Sequence, residues 1–171
     1  MEKINLCEGV VAQMMKTEAW SNVSRSFPFS EAQLEKYQDN VDWDEISSNH
    51  SIMWTASLLD KFKKRINWTK LSGNLQRQNM TIELLEKFKD NIDWEELSQH
   101  DYITLEIIDH FVDYINWKSL INNYWCENWC SEEFVKKYSD RIPASEFKGS
   151  RIWNELISKK ENEIVTQICQ N

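Results

Sequence analysis

Between residues 30 and 147, hydroxyl and apolar positions return in one fixed order, five times. Each copy opens with Ser30, Thr55, Thr81, Thr104 or Ser131. An apolar residue stands just before it (Phe29, Trp54, Met80, Ile103, Cys130), and another four positions after (Leu34, Leu59, Leu85, Ile108, Val135). An aromatic follows at seven (Tyr37, Phe62, Phe88, Phe111, Tyr138) and a β-branched residue at eleven (Val41, Ile66, Ile92, Ile115, Ile142). At thirteen come Trp43, Trp68, Trp94 and Trp117, with Ala144 as the fifth. Ile46, Leu71, Leu97, Leu120 and Phe147 close the pattern at sixteen.

That spacing predicts two helices per copy. The Ser or Thr is an N-cap, whose side-chain oxygen takes an otherwise unpaired backbone N–H, and the flanking apolar pair is a hydrophobic staple. Positions four and seven after the cap share one helical face. Asp42, Asn67, Asp93 and Asn116 offer a second N-cap for a short helix carrying the Trp and, three residues on, the Leu or Ile. Asn49, Asn74, His100 and Asn123 follow, where a left-handed residue is expected to end that helix. The four tryptophans are read as core, and Trp94→Ala is expected to unfold the chain.

One helix pair cannot bury its apolar face alone, whereas stacked neighbours can. The expected fold is therefore all-α, a short α-solenoid of about five helix–turn–short-helix units in one compact domain. Residues 1–29 read as an N-terminal cap with a degenerate copy, in which Val11, Met14, Trp20 and Val23 take the Leu, Phe, Trp and Leu places. Residues 30–147 are the repeats. Residues 148–171 read as a closing amphipathic helix with Ile152, Leu156, Ile164 and Ile168 turned inward. Three glycines and two prolines leave little material for hairpins, in keeping with a helical chain.

The pattern [ST]-x3-[LIV]-x2-[FY]-x3-[IV]-[DN]-W-x2-[LI] is similar to short Trp-containing helical repeats of giant DNA viruses and of Bacteroidetes and their mobile elements. It covers residues 30–147, and the fifth copy departs from it with Pro143-Ala144. The resemblance implies the helical-repeat fold. With the small size and the Lys-over-Arg bias of fifteen to five, it permits a phage or mobile-element inhibitor of a defence nuclease, of the anti-CRISPR kind.

Function is sought where the copies differ. Cap to Trp is invariant at thirteen, but the stretch from the Leu or Ile to the next cap runs nine, ten, seven and eleven residues. Such loops either tolerate drift or form a binding edge. They and their margins hold Trp54, Tyr102, Tyr124, Trp125 and Trp129, the candidate partner anchors, with Trp54 already engaged as a staple.

Charge adds a second asymmetry. Residues 30–54 carry six acidic and one basic side chain, residues 55–80 six basic and one acidic, and residues 81–103 seven acidic and two basic. Lys61, Lys63, Lys64, Arg65, Lys70 and Arg77 either pair with acids of neighbouring repeats or contact phosphate or an acidic protein. A formal net charge of −8 argues against nucleic acid as the principal partner.

Chemistry is sparse. His50, His100 and His110 come with no triad spacing, and Cys126-x3-Cys130 is followed by no second ligand pair. The acidic clusters at Asp42 and Asp93 lie at helix starts, where carboxylates oppose the positive dipole end. No catalytic residue, metal or cofactor is expected. No run of eighteen apolar residues is present, and the N-terminus lacks a secretion-signal pattern, so a cytoplasmic address without a membrane is expected. The expected role is non-catalytic binding of a larger protein or ribonucleoprotein. The alternative is RNA contact, direct or through the partner, by the basic second repeat; no small-molecule substrate is expected.

Overall fold

The computed structural model describes residues 8–170; Cys7 with the rest of the first seven residues of the expected N-terminal cap, and Asn171, lie outside the described residues. Among those described there are twelve α-helices, two 3-10 turns and no strand. After a long α1 (Glu8–Ser26) come pairs of a six- or seven-residue helix and a five-residue one: α2 (Glu31–Tyr37) with α3 (Trp43–Ser47), α4 (Ala56–Phe62) with α5 (Trp68–Ser72), α6 (Ile82–Phe88) with α7 (Trp94–Ser98), and α8 (Leu105–His110) with α9 (Trp117–Ile121). The fifth pair is α10 (Glu132–Lys137) with the four-residue α11 (Ala144–Phe147), and α12 (Arg151–Gln170) closes the chain.

The described residues form two compact units, the chain dividing between Asn79 and Met80. In the first, α3 packs on α1 and α5 on α3; in the second, α9 packs on α7 and α12 on α9. Within each unit the short helices thus lie side by side, copy against copy. Leu34, Ile46, Ile52, Leu59 and Leu71 are fully buried in the first, and Leu85, Leu97, Ile108, Phe111, Leu120 and Ile152 in the second.

All five expected first caps form. Ser30, Thr55, Thr81, Thr104 and Ser131 accept the backbone N–H three residues on, and Gln33 returns a bond to Ser30 N–H at 2.8 Å, completing a capping box. Asp42, Asn67, Asp93 and Asn116 cap the short helices in the same manner. Pro143 caps α11 without a side-chain bond.

The turn inside each pair is the same five times over. The carbonyl of the aromatic at position seven accepts two N–H groups, for example Arg65 (2.8 Å) and Ile66 (3.1 Å) on Phe62. Each repeat indole fastens that turn: Trp43, Trp68, Trp94 and Trp117 donate Nε1–H to the carbonyls of Gln38, Lys63, Lys89 and Val112. These tryptophans are half-buried rather than core. An indole that must present its N–H to a turn carbonyl sits at the edge of the packed layer, its ring face on the next repeat. Trp43 lies 4.9 Å from Phe62, Trp94 4.9 Å from Phe111 and Trp117 4.9 Å from Tyr138.

A second fastener joins successive copies. Ser24 and Ser47 Oγ accept the N–H of Asp42 (3.0 Å) and Asn67 (2.9 Å), and Ser98 Oγ accepts that of Asn116 (3.0 Å). Ser47 and Ser98 stand one residue past the buried Ile46 and Leu97, Ser24 holds the same place after the exposed Val23, and each serves the following copy's second cap. The equivalent of the fourth copy is Ile121, fully buried, and the residue it would serve is Pro143, which has no N–H. The two departures answer each other: where the donor is gone, the acceptor has become hydrocarbon.

The expected left-handed helix ends are not found, since no described residue other than glycine has positive φ. Asn49 and Asn123 are buried, and their side chains bond across repeats. Asn49 Nδ2 donates to the carbonyls of Ser24 (2.8 Å) and Phe27 (2.9 Å), while its Oδ1 accepts Ser51 N–H at 2.8 Å. Asn123 repeats this on Ser98 (2.9 Å), His100 (3.1 Å) and Trp125 N–H (2.7 Å). His100 accepts Tyr102 N–H on Nδ1 at 3.2 Å. Asn74 instead bonds back to Lys70 within its own turn, and Gln76 takes over the cross-repeat role on the carbonyls of His50 and Ile52. An amide offers two donors and an acceptor in one plane, which suits it to clasp one loop while ordering the next.

The ends depart further. Glu18 and Ala19 occupy the places of the β-branched residue and the second cap, so no turn interrupts α1. Trp20, which meets Tyr37 at 5.5 Å, and Ser24 keep the repeat's contacts. Val11, Met14 and Val23, set in the degenerate copy's apolar places, are exposed. In α12, Ile152 is buried and Leu156 half-buried, but Ile164 and Ile168 face solvent, against expectation, because the helix outruns what it packs on. Gly149 turns the chain from α11 into α12 at φ 90°, a conformation that costs other residues.

Candidate interaction site

The loops that vary in length split their aromatics between core and surface. Trp54, 2% exposed, and Trp129, 7% exposed, are buried in the core, so neither presents its ring at the surface as a partner anchor would. Trp129 stands just before the staple residue Cys130, and its ring packs 5.0 Å from Phe134 of α10. Tyr102 is exposed and leans on His100 at 5.5 Å. Tyr124 (64% exposed) and Trp125 (45% exposed) are adjacent in the longest loop, edge to face at 5.1 Å.

This pair is held in place from below. Asn123 fixes the Trp125 N–H, and Cys126, fully buried, begins the 3-10 turn Cys126–Asn128 that returns the chain to the core. From α12, the Arg151 guanidinium lies 4.6 Å above the Tyr124 ring, a cation–π contact that orders both side chains. The result is a Tyr–Trp–Arg surface on a fixed backbone. Arg151 was not among the candidates from the sequence, because twenty-seven residues and two helices separate it from Tyr124.

The basic cluster behaves differently. Lys61 pairs with Glu31 (2.7 Å) and Glu35, Arg65 with Asp39 (2.8 Å), and Lys70 with Asp44 (3.4 Å), each an acid of the preceding repeat. The two carboxylates, Glu31 foremost, hold the Lys61 ammonium above its ordinary range. Lys63, Lys64 and Arg77 are exposed and form no ion pair among the described residues. A cleft of about 340 Å³ beside Phe62 mixes Lys61, Lys63, Lys64 and Arg65 with Glu35 and Asp60, so its wall is not of one sign. The same rungs recur in the fourth and fifth copies, as Lys137–Asp109 and Arg141–Asp113. Half of the cationic cluster, Lys61, Arg65 and Lys70, is therefore one set of rungs in a ladder between repeats.

Below the aromatic surface lie the free thiols of Cys126 and Cys130, both buried, on a turn closed by Cys130 N–H to Cys126 O at 2.8 Å. Lys159 of α12 reaches the carbonyls of Cys130 (3.2 Å) and Glu127 (3.4 Å), with Nζ 3.9 Å from Cys130 Sγ. The neighbouring Cys126 thiol foremost, and Lys159 after it, hold the Cys130 thiol down to about 7, while Cys126 is pushed above its ordinary range. Among the described residues, no three His, Cys, Asp or Glu side chains come together as a metal-ligand set. No described helix is long and apolar enough to cross a membrane. Comparison with protein-family models, curated proteins and solved structures finds no match to this chain.

Proposed function

We propose that this chain is a non-catalytic binding module that docks a larger protein through Tyr124, Trp125 and Arg151. The observation that carries the reading is a large exposed aromatic pair set on a loop whose backbone is already ordered by Asn123 and Cys126. Tyr, Trp and Arg dominate the energetics of protein interfaces, and a pre-ordered loop loses little entropy on binding. The partner that suits this surface offers an apolar recess for the Trp125 indole and a carboxylate or carbonyl for Arg151. In its sharper form, which rests on the repeat resemblance, the partner is a bacterial defence nuclease and the chain its inhibitor. The alternative, RNA held by the basic second repeat, falls to the cations left outside the ladder, Lys63, Lys64 and Arg77.

The immobilised full chain, exposed to an extract of its native host, tests both. Retention of one protein or assembly is expected, insensitive to nuclease and to moderate salt. Trp125→Ala is expected to weaken it by about thirtyfold or more, the scale of an interface hot spot. Lys63→Glu with Lys64→Glu is expected to leave it unchanged. Retention that survives Trp125→Ala, or that nuclease abolishes together with charge reversal, rejects the aromatic site in favour of the basic one.

A further inference from the structure

The loop that carries the aromatic pair also carries chemistry that binding does not use. Cys126 and Cys130 stand at the two ends of one chain turn, closed by Cys130 N–H to Cys126 O at 2.8 Å, and a disulfide between them requires a Cα separation of about 4.4–6.8 Å. Cys130 lines a cleft of about 360 Å³ between the start of α10 and the middle of α12. The charged groups facing it are Lys159 and Lys160 with Glu132, Glu133 and Glu163, and Glu155 pairs with Lys159 at 3.8 Å. Lys159 alone reaches the sulfur. Cys130 is buried as a residue, yet it lines the cleft wall beside a lysine and near a second thiol, an electropositive neighbourhood that favours the thiolate.

We propose that Cys130 is a site of oxidation by small hydroperoxides, with Cys126 as the resolving thiol. In the first step the Cys130 thiolate attacks one peroxide oxygen and the O–O bond breaks. Sulfur becomes the sulfenic acid, and the leaving oxygen departs as hydroxide or alkoxide, taking a proton from solvent. In the second step the Cys126 sulfur attacks Cys130 and the S–O bond breaks. The hydroxide leaves as water with the proton given up by Cys126, and the Cys126–Cys130 disulfide remains. The dithiol loses two electrons and the peroxide gains them. Lys159, 3.9 Å from the reacting sulfur, stabilises the thiolate in the first step.

The test uses the reduced full chain and hydrogen peroxide, with alkylation at set times and peptide mass spectrometry. A Cys126–Cys130 linkage is expected to form before any change at the exposed Cys169. Cys126→Ser is expected to stop at a Cys130 sulfenic acid that dimedone traps. The rate is expected to rise with pH through about 7, below the ~8.5 of an unperturbed thiol. Lys159→Gln is expected to slow the reaction roughly tenfold at pH 6, through a smaller thiolate fraction. Oxidation of Cys169 ahead of Cys130, or linkage of Cys130 to any thiol but Cys126, overturns the proposal. So does a Cys130 rate indifferent to Lys159→Gln. These readouts need no partner, so they stand or fall apart from the docking reading.

Discussion

Asn49 and Asn123 head two loops built on one plan. Each asparagine is buried, each clasps two carbonyls of the preceding copy, and each accepts the N–H two residues ahead. Beyond that point the loops part. The first returns quickly, burying Ile52 and Trp54 and leaving Met53 outside. The second is two residues longer between its Ile or Leu and the next cap. It presents Tyr124 and Trp125 before Cys126 takes the chain back in. The shared part is scaffold, and the extra length is where a surface has been built. The repeat therefore keeps its clasp constant and varies what the clasp holds out.

Removing the clasp gives the largest effect. Asn123→Leu strands two buried carbonyls and the Trp125 N–H, and about 3–5 kcal/mol of stability is expected to be lost in urea unfolding. Asn49→Leu is expected to match it, whereas Asn74→Leu, whose amide bonds back within its own turn, is expected to cost much less. A loss at Asn74 equal to that at Asn123 would erase the distinction between clasp and bystander.

Next comes the exchange of serine for isoleucine. Ile121→Ser removes buried hydrocarbon and is expected to cost about 2–4 kcal/mol. Adding Pro143→Asp supplies the missing N–H, so the double variant is expected to be more stable than the sum of the two changes by 0.5 kcal/mol or more, in the range ~0.5–3 seen for contacting pairs. Ser98→Ala, which leaves the Asn116 N–H without its acceptor, is expected to cost about 1–2 kcal/mol. Strict additivity at Ile121 and Pro143 would mean that the two departures are unrelated.

The smallest effect belongs to the ladder of charges. Arg141→Gln removes a pair with Asp113 that is largely solvated, and its effect on a melt is expected to fall within the reproducibility of the measurement. A clear loss there would give the rungs a structural weight that their exposure denies them.

The caps and helix pairs were legible in the sequence because their chemistry is local: a hydroxyl and its N–H lie three residues apart. The serine and asparagine fasteners were not, since their partners lie eighteen to twenty-five residues earlier or later. A trace was nonetheless present in Ser47, Ser72 and Ser98, recurring one place after the buried Ile or Leu, and in Ile121 standing where Pro143 needs no acceptor. Helical spacing also could not separate a core tryptophan from one at the layer's edge. Trp43 and Trp94 are half-buried because their N–H groups serve turn carbonyls, a demand that periodicity does not record. In the long loop, Trp125 and Trp129 read alike as sequence. Only the turn at Cys126 sends one outward and the other under Phe134.

That contrast admits a direct test by paired melts of Trp125→Ala and Trp129→Ala. Trp129→Ala is expected to lower Tm by about 10 °C, the consequence of removing a buried indole worth ~3–5 kcal/mol. Trp125→Ala is expected to stay within a degree or two of the unaltered chain while weakening retention of the partner by about thirtyfold or more. Equal melts, or a Trp125→Ala that unfolds, would contradict the division of this loop into scaffold and docking surface.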